Sequence, residues 1–257
     1  MTSLSIKQKA QQYVVLTGMA LFIGLLVGAI DMIFGQGLLL IGDFRSQHWP
    51  LILFLAIAGL VIVYLYKRFG GKASKGMGLI FDVGHAREEK IPLVLVPLIM
   101  LTTWMSHLFG GSVGREGVAV QIGATLSHRF ARHIKIPDAS RIFLMTGMAA
   151  GFAGLFQTPL AATFFALEVL TVGELQLMAL YPALIASIVA SFTSHALGLE
   201  KFAVPLRETL SWTPETLIKV ALLGLAFGLA GKLFAVSLSW LKKTVAQVLP
   251  NPYIRIA

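Results

Sequence analysis

The 257-residue sequence contains no cysteine, and it has only 12 acidic residues against 21 lysines and arginines. The lack of cysteine excludes disulfides, iron-sulfur clusters, thiolate zinc sites and cysteine nucleophiles. The nitrogen ligands that are left are six histidines, which are scattered along the chain. The sequence therefore predicts no metal centre and no cofactor.

Charged residues are also sparse, at 13% of the chain, whereas hydrophobic residues make up 56%. Charge-free runs reach the roughly 20 residues that a helix needs to cross a bilayer. The predicted fold class is therefore all-α, a polytopic membrane protein. The net charge of +9 does not indicate nucleic-acid binding, because the basic residues flank hydrophobic segments and form no stripe interleaved with aromatics.

Six hydrophobic stretches are candidates for membrane-embedded helices: 11–34, 50–66, 91–114, 142–167, 175–197 and 216–241. Residues 35–49 are interpreted as a glycine-rich loop, and a charge-balanced loop that includes Arg207 and Glu208 follows the fifth stretch. This arrangement places the main basic clusters on one side, which the positive-inside rule makes cytoplasmic. We expect a multi-pass protein of the cell membrane with a cytoplasmic N-terminal segment at 1–12.

Three interruptions fall within or beside these stretches, at 76–78, 110–117 and 157–159. A broken helix is tolerated in hydrocarbon only where the break is buried in protein or lines a watery cavity. A helix that starts inside the membrane also directs unpaired N–H groups and its positive dipole end inward. We therefore expect re-entrant helices, with an anion site at the first two interruptions. At the third, the proline predicts two short helices that meet at a turn.

Arg115 and Glu116 are adjacent charged residues inside the second interruption. An ionisable side chain at the bilayer centre costs at least a few kcal/mol, so such residues are candidates for function. A carboxylate beside helix N-termini mimics a bound anion, and protonation would release it. Glu116 is therefore a candidate gate and proton carrier. The alternative is an Arg-Glu pair that merely caps the helix.

Two ordered motifs resemble the CLC family of chloride channels and proton-coupled anion antiporters. Residues 114–117 (Gly-Arg-Glu-Gly) and 120–123 (Val-Gln-Ile-Gly) are similar to its GREGP and VQIG signature. Residues 147–161, with Gly-Met-Ala-Ala-Gly and Gln-Thr-Pro-Leu-Ala, resemble its next stretch. The resemblance implies the first half of a CLC inverted-repeat fold. The first repeat would occupy 13–198, and 199–257 would hold a loop and the first helix of a second repeat, apparently truncated.

The resemblance also implies roles for individual residues. Glu116 corresponds to the family's gating glutamate. The implied anion-binding residues are Gly76, Met77, Gly78, Gly114, Arg115, Gly117 and Val118. Methionine stands where the family usually has a serine hydroxyl donor, which is typical of the fluoride/proton antiporter branch. The resemblance implies transport of fluoride or chloride in exchange for protons, with fluoride/proton antiport preferred. It also implies a homodimer and no enzymatic activity.

Three alternatives stay open: a chloride channel of the same family, a truncated half that does not transport, and an intramembrane serine hydrolase using Ser112 in a G-x-S-x-G pattern. Glu168 is interpreted as a structural carboxylate, and Val169 stands where chloride/proton antiporters have an inner proton-transfer glutamate. His107 is interpreted as a buried histidine with a satisfied hydrogen bond. Asp31 either marks an ion path or lies near the membrane interface.

Overall fold

A computed structural model describes residues 6–171, 173–201 and 211–256, and the regular structure in these ranges is helical. The chain divides into two compact units, 1–201 and 202–257. Arg207 and Glu208 of the expected charge-balanced loop lie outside the described residues, as do the first five residues of the expected cytoplasmic segment.

Ten α-helices are described: α1 (Ile6–Gln47), α2 (Leu55–Leu65), α3 (Met77–Gly84), α4 (Leu95–Leu108), α5 (Glu116–Ala131), α6 (Ala139–Phe156), α7 (Pro159–Glu168), α8 (Leu180–Ala196), α9 (Pro214–Val248) and α10 (Pro252–Ile256). Helix α2 is preceded by a 3-10 helix at Trp49–Phe54 and continues as a π-helical turn at Tyr66–Gly70. A 3-10 helix at Gly71–Lys75 then leads into α3.

Within the described residues, five helical stretches are long and apolar enough to cross a membrane: Ala10–Gln47, Trp49–Gly84, Ala139–Phe156, Leu177–Ala196 and Pro214–Val248. Helices α4 and α7 are apolar but shorter, at 14 and 10 residues. The prediction of an all-α polytopic chain with broken helices is confirmed by this arrangement.

The predicted loop at 35–49 is wrong, because α1 continues to Gln47. Two of its glycines, Gly35 and Gly37, serve packing instead of a turn. A Cβ on Gly35 would lie 2.6 Å from the Leu199 side chain, and a Cβ on Gly37 would lie 2.6 Å from the Trp104 ring. Glycine costs a helix roughly 1 kcal/mol relative to alanine, and these two contacts offset that cost by admitting large side chains.

Helix α6 forms the centre of the first unit and packs against α1, α5, α7 and α8. Its Gly147 and Gly151 face Gly123 and Ala119 of α5 so closely that a Cβ on either α6 glycine would overlap the α5 backbone. Absent side chains let the two backbones approach, as in other small-residue contacts between membrane helices. The glycine pair of α6 therefore joins helices within one chain.

The predicted interruption at 157–159 is confirmed. Helix α6 ends at Phe156, and Gln157 adopts a left-handed conformation with φ of +53°. Pro159 is the first residue of α7, a position where its missing N–H costs no hydrogen bond. The chain therefore reverses here without a long loop.

Candidate functional site

Helix α3 begins at a glycine turn. Gly76 has φ of +55° and ψ of −129°, a conformation that residues with a Cβ rarely adopt. No side chain caps this helix start. The first N–H groups of any α-helix, here those of Met77 and Gly78, have no acceptor within the helix. The start of α3 therefore presents backbone donors and a positive dipole end.

Helix α5 begins at Glu116, directly after an irregular segment at 111–114. Arg115 is its N-cap residue, and its side chain makes no capping hydrogen bond. The N–H of Ala119 donates to the carbonyl of Arg115 at 3.1 Å. The N–H groups of Glu116, Gly117 and Val118 precede that bond, so they have no acceptor within the helix.

The two helix starts lie side by side. A Cβ on Gly117 would lie 3.7 Å from Cγ of Met77, and a Cβ on Gly76 would lie 3.5 Å from Oε1 of Gln121. The structure thus brings the predicted 76–78 segment together with Gly117. Two uncapped helix N-termini that converge can hold an anion with backbone donors alone.

Gln121 is a residue of this site that the sequence reasoning did not single out. Its Nε2 donates to the carbonyl of Gly117 at 2.8 Å, and its Oε1 is buried without a hydrogen-bond partner. Its position in the Val-Gln-Ile-Gly motif, five residues after Glu116, was the available signal. A buried amide with an unpaired oxygen is costly unless it serves the site.

The Glu116 side chain is exposed and lines a cavity of about 230 Å³. Gly114, Arg115 and His107 also line this cavity. His107 is half-buried, and its Nδ1 lies 2.9 Å from the carbonyl oxygen of Thr103. The expected hydrogen bond of His107 is present, but the ring also shares a cavity with Glu116, which the sequence reasoning missed.

Arg115 contacts an aromatic ring and is not paired with Glu116. Its guanidinium carbon lies 5.3 Å from the ring centroid of Phe156, a cation–π arrangement. Among the ion pairs of the described ranges, none joins Arg115 to Glu116. An Arg-Glu capping pair is therefore not formed, and the Glu116 carboxylate stays available to the cavity.

Asp31 is fully buried. Both of its carboxylate oxygens lack a hydrogen-bond partner, and a Cβ on Gly154 of α6 would overlap Oδ2. Asp31 therefore belongs to the packing between α1 and α6.

Three other candidates lie apart from the helix starts. Ser112 is exposed in an irregular segment, and the described ranges contain no strand that could form a nucleophile elbow around it. Glu168 is the exposed last residue of α7, and Val169 packs against the core.

Comparison with known proteins decides the family. The family model described as Voltage gated chloride channel matches residues 58–257. The chain belongs to this CLC family. A protein of Pseudomonas syringae pathovar tomato named "Chloride/fluoride channel protein" is 36% identical over 214 residues, which is 83% of this chain and 47% of the relative.

Further similar proteins also belong to the CLC family. The protein of Salmonella typhimurium named "Voltage-gated ClC-type chloride channel ClcB" is 30% identical over 63% of this chain and 35% of its own length. A crystal structure of a CLC-type fluoride/proton antiporter superposes with a TM-score of 0.90 at 45% identity, covering 98% of this chain and 63% of that one. A cyanobacterial Cl⁻/H⁺ antiporter structure, 21% identical with a TM-score of 0.78 over 94% of this chain and 61% of that one, shares the fold. The chain spans less than half the length of the Pseudomonas syringae and Salmonella typhimurium relatives.

Proposed function

We propose that this chain contributes the first half of a membrane transporter for halide anions. The observation that carries the proposal is the convergence of the α3 and α5 N-termini beside the buried Gln121 amide. Neither helix start has a side-chain cap. In a membrane, such unpaired N–H groups need a hydrogen-bond acceptor. A small anion can be that acceptor.

In this proposal Glu116 is the gate. It is the first residue of α5, so its ionised carboxylate can compete with the permeating anion for the same N–H groups. Protonation removes the negative charge, and the carboxyl then leaves the site to the anion. The cavity that Glu116 lines gives water and protons access to it. One group thereby couples the movement of an anion to that of a proton.

Fluoride is the proposed substrate. Met77 lies at the start of α3, where it offers no hydroxyl donor to the anion. Two similar proteins support this choice, since one is named a chloride/fluoride channel protein and the other a fluoride/proton antiporter. We therefore prefer fluoride/proton antiport to chloride channel activity as the proposed function.

The proposed setting is a cell membrane with the N-terminal segment on the cytoplasmic side, because the basic clusters then satisfy the positive-inside rule. Residues 13–198 would form the first repeat, and 199–257 would begin the second. Assembly as a homodimer is proposed from the family alone.

Flux measurements in proteoliposomes test the proposed activity. Two samples are reconstituted: the 257-residue chain, and the protein that the gene produces in its own organism, here called the native gene product. Comparing them distinguishes a half that cannot transport from a full transporter. We expect an outward fluoride gradient to drive proton uptake with the native product, while chloride moves much more slowly. Equal chloride and fluoride flux without proton movement would favour the chloride channel.

A further inference from the structure

A second cavity, of about 800 Å³, lies in the first unit, away from the Glu116 cavity. Three parts of the chain line it: residues 69–72 after α2, residues 89–94 before α4, and the last turns of α5. Glu116 begins α5 and Arg129 lies near its end, so at a rise of 1.5 Å per residue the two are about 20 Å apart along the helix. The cavity is therefore separate from the proposed anion site.

The charged residues that line this cavity are mainly basic. The lining lysines and arginines are Lys72, Lys90, Arg129 and Arg132, against one acidic residue, Glu89. Lys72 is neutralised by an ion pair with Glu88 at 2.6 Å. The ion pairs of the described ranges include neither Lys90 nor Arg129. Arg129 and Arg132 are three residues apart and so share a helix face. The cavity therefore carries a net positive charge suited to an anion.

The cavity lining also includes exposed apolar side chains. Phe69 and Leu93 are 55% and 44% exposed, and Val94 is 37% exposed. Phe69 lies in the π-helical turn that ends the α2 stretch, and the other two directly precede α4. Exposed apolar side chains at the ends of membrane helices contact acyl chains instead of water.

We propose that this cavity binds the head group of an anionic phospholipid, with the part of the acyl chains nearest the head group lying on Phe69, Leu93 and Val94. A free inorganic anion would contact the basic lining residues but leave the apolar ones without a contact. A zwitterionic phospholipid has a phosphate but no net negative charge, so it would not neutralise Lys90 and Arg129. Basic pockets between membrane helices on the cytoplasmic side bind anionic head groups elsewhere, and the basic clusters of this chain take that side in the proposed orientation.

Native mass spectrometry of the full native protein tests the site, with phosphatidylglycerol and phosphatidylcholine as probes. The test variant is Lys90→Gln/Arg129→Gln. The matched control is Lys135→Gln, an exposed basic residue of the same region that does not line the cavity. Unfolding temperatures in phosphatidylcholine show whether each variant is folded.

We expect the wild type and the control to retain phosphatidylglycerol in preference to phosphatidylcholine. The double variant should bind it about fivefold more weakly for each charge removed, while its unfolding temperature in phosphatidylcholine is unchanged. The inference is overturned if both lipids are retained equally, or if the double variant matches the control. It is also overturned if inorganic phosphate displaces the lipid, since the site would then be one for free anions. Halide flux is measured separately, so failure of the lipid site leaves the proposed transport function intact.

Discussion

The Gln121 side chain lies between the starts of two helices. Its Nε2 donates to the Gly117 carbonyl at 2.8 Å, and its Oε1 lies 3.5 Å from the point that a Cβ on Gly76 would occupy. A single buried amide thus donates a hydrogen bond to the first turn of its own helix, α5, and lies close to the turn that opens α3. The Gln121 side chain therefore lies beside both sets of backbone donors.

Replacing Gln121 with leucine is expected to weaken anion transport. The substitution removes the hydrogen bond to Gly117, which contributes roughly 1 kcal/mol. It also replaces the buried amide beside the start of α3 with an apolar side chain. The initial rate of fluoride flux at subsaturating fluoride should fall about fivefold. Gln11→Leu is the control, since Gln11 is exposed near the start of α1. Equal rates for the two variants would show that Gln121 does not contribute to the anion site.

Replacing Gly147 with alanine is expected to disrupt the centre of the first unit. Its Cβ would overlap the Gly123 carbonyl of α5, and backbone atoms of two packed helices have little room to move. The free energy of unfolding should fall by roughly 3 kcal/mol. Gly18→Ala is the control, because a Cβ there meets nothing within 4 Å. Thermal unfolding in detergent should show a loss of several degrees for Gly147→Ala and none for Gly18→Ala.

The ion pairs of Glu88 predict a small pH dependence of stability. Hydrogen bonds from Lys72 and then Lys75 hold the pKa of Glu88 below its ordinary value of 4.5. Because the folded-state pKa is lowered, the stabilisation is present above the unfolded pKa and is lost as the pH falls through the folded value.

Glu88→Gln should therefore lower the unfolding temperature at neutral pH, by on the order of a degree for an exposed pair. The difference from wild type should vanish at a pH below the folded-state pKa. Glu89→Gln is the control, since the described ion pairs do not include Glu89. A pH-independent difference would show that charge pairing is not its cause.

The helix starts were predictable because local chemistry determines them. Proline at position 159 fixes the start of α7, and the glycine-rich segment before Glu116 fixes that of α5. The loop expected at 35–49 failed for a tertiary reason. Gly35 and Gly37 look like helix breakers in the sequence, but they accommodate Leu199 and Trp104, which are distant in sequence.

The candidate site was predictable in part for the same reason. Glycines and a charged pair inside a hydrophobic stretch indicate where backbone donors are exposed. That Arg115 stacks on Phe156, and that His107 shares a cavity with Glu116, depend on helix packing. Sequence spacing carries no information on such contacts between separate helices.

The proposed coupling of halide and proton movement depends on the Glu116 carboxyl, and proton uptake by proteoliposomes under a fluoride gradient measures it directly. Glu116→Gln is compared with Glu168→Gln, an exposed carboxylate at the end of α7, in the native gene product. We predict that Glu116→Gln still transports fluoride but drives no proton uptake, whereas Glu168→Gln behaves as wild type. Undiminished proton uptake by Glu116→Gln would contradict the proposed gate.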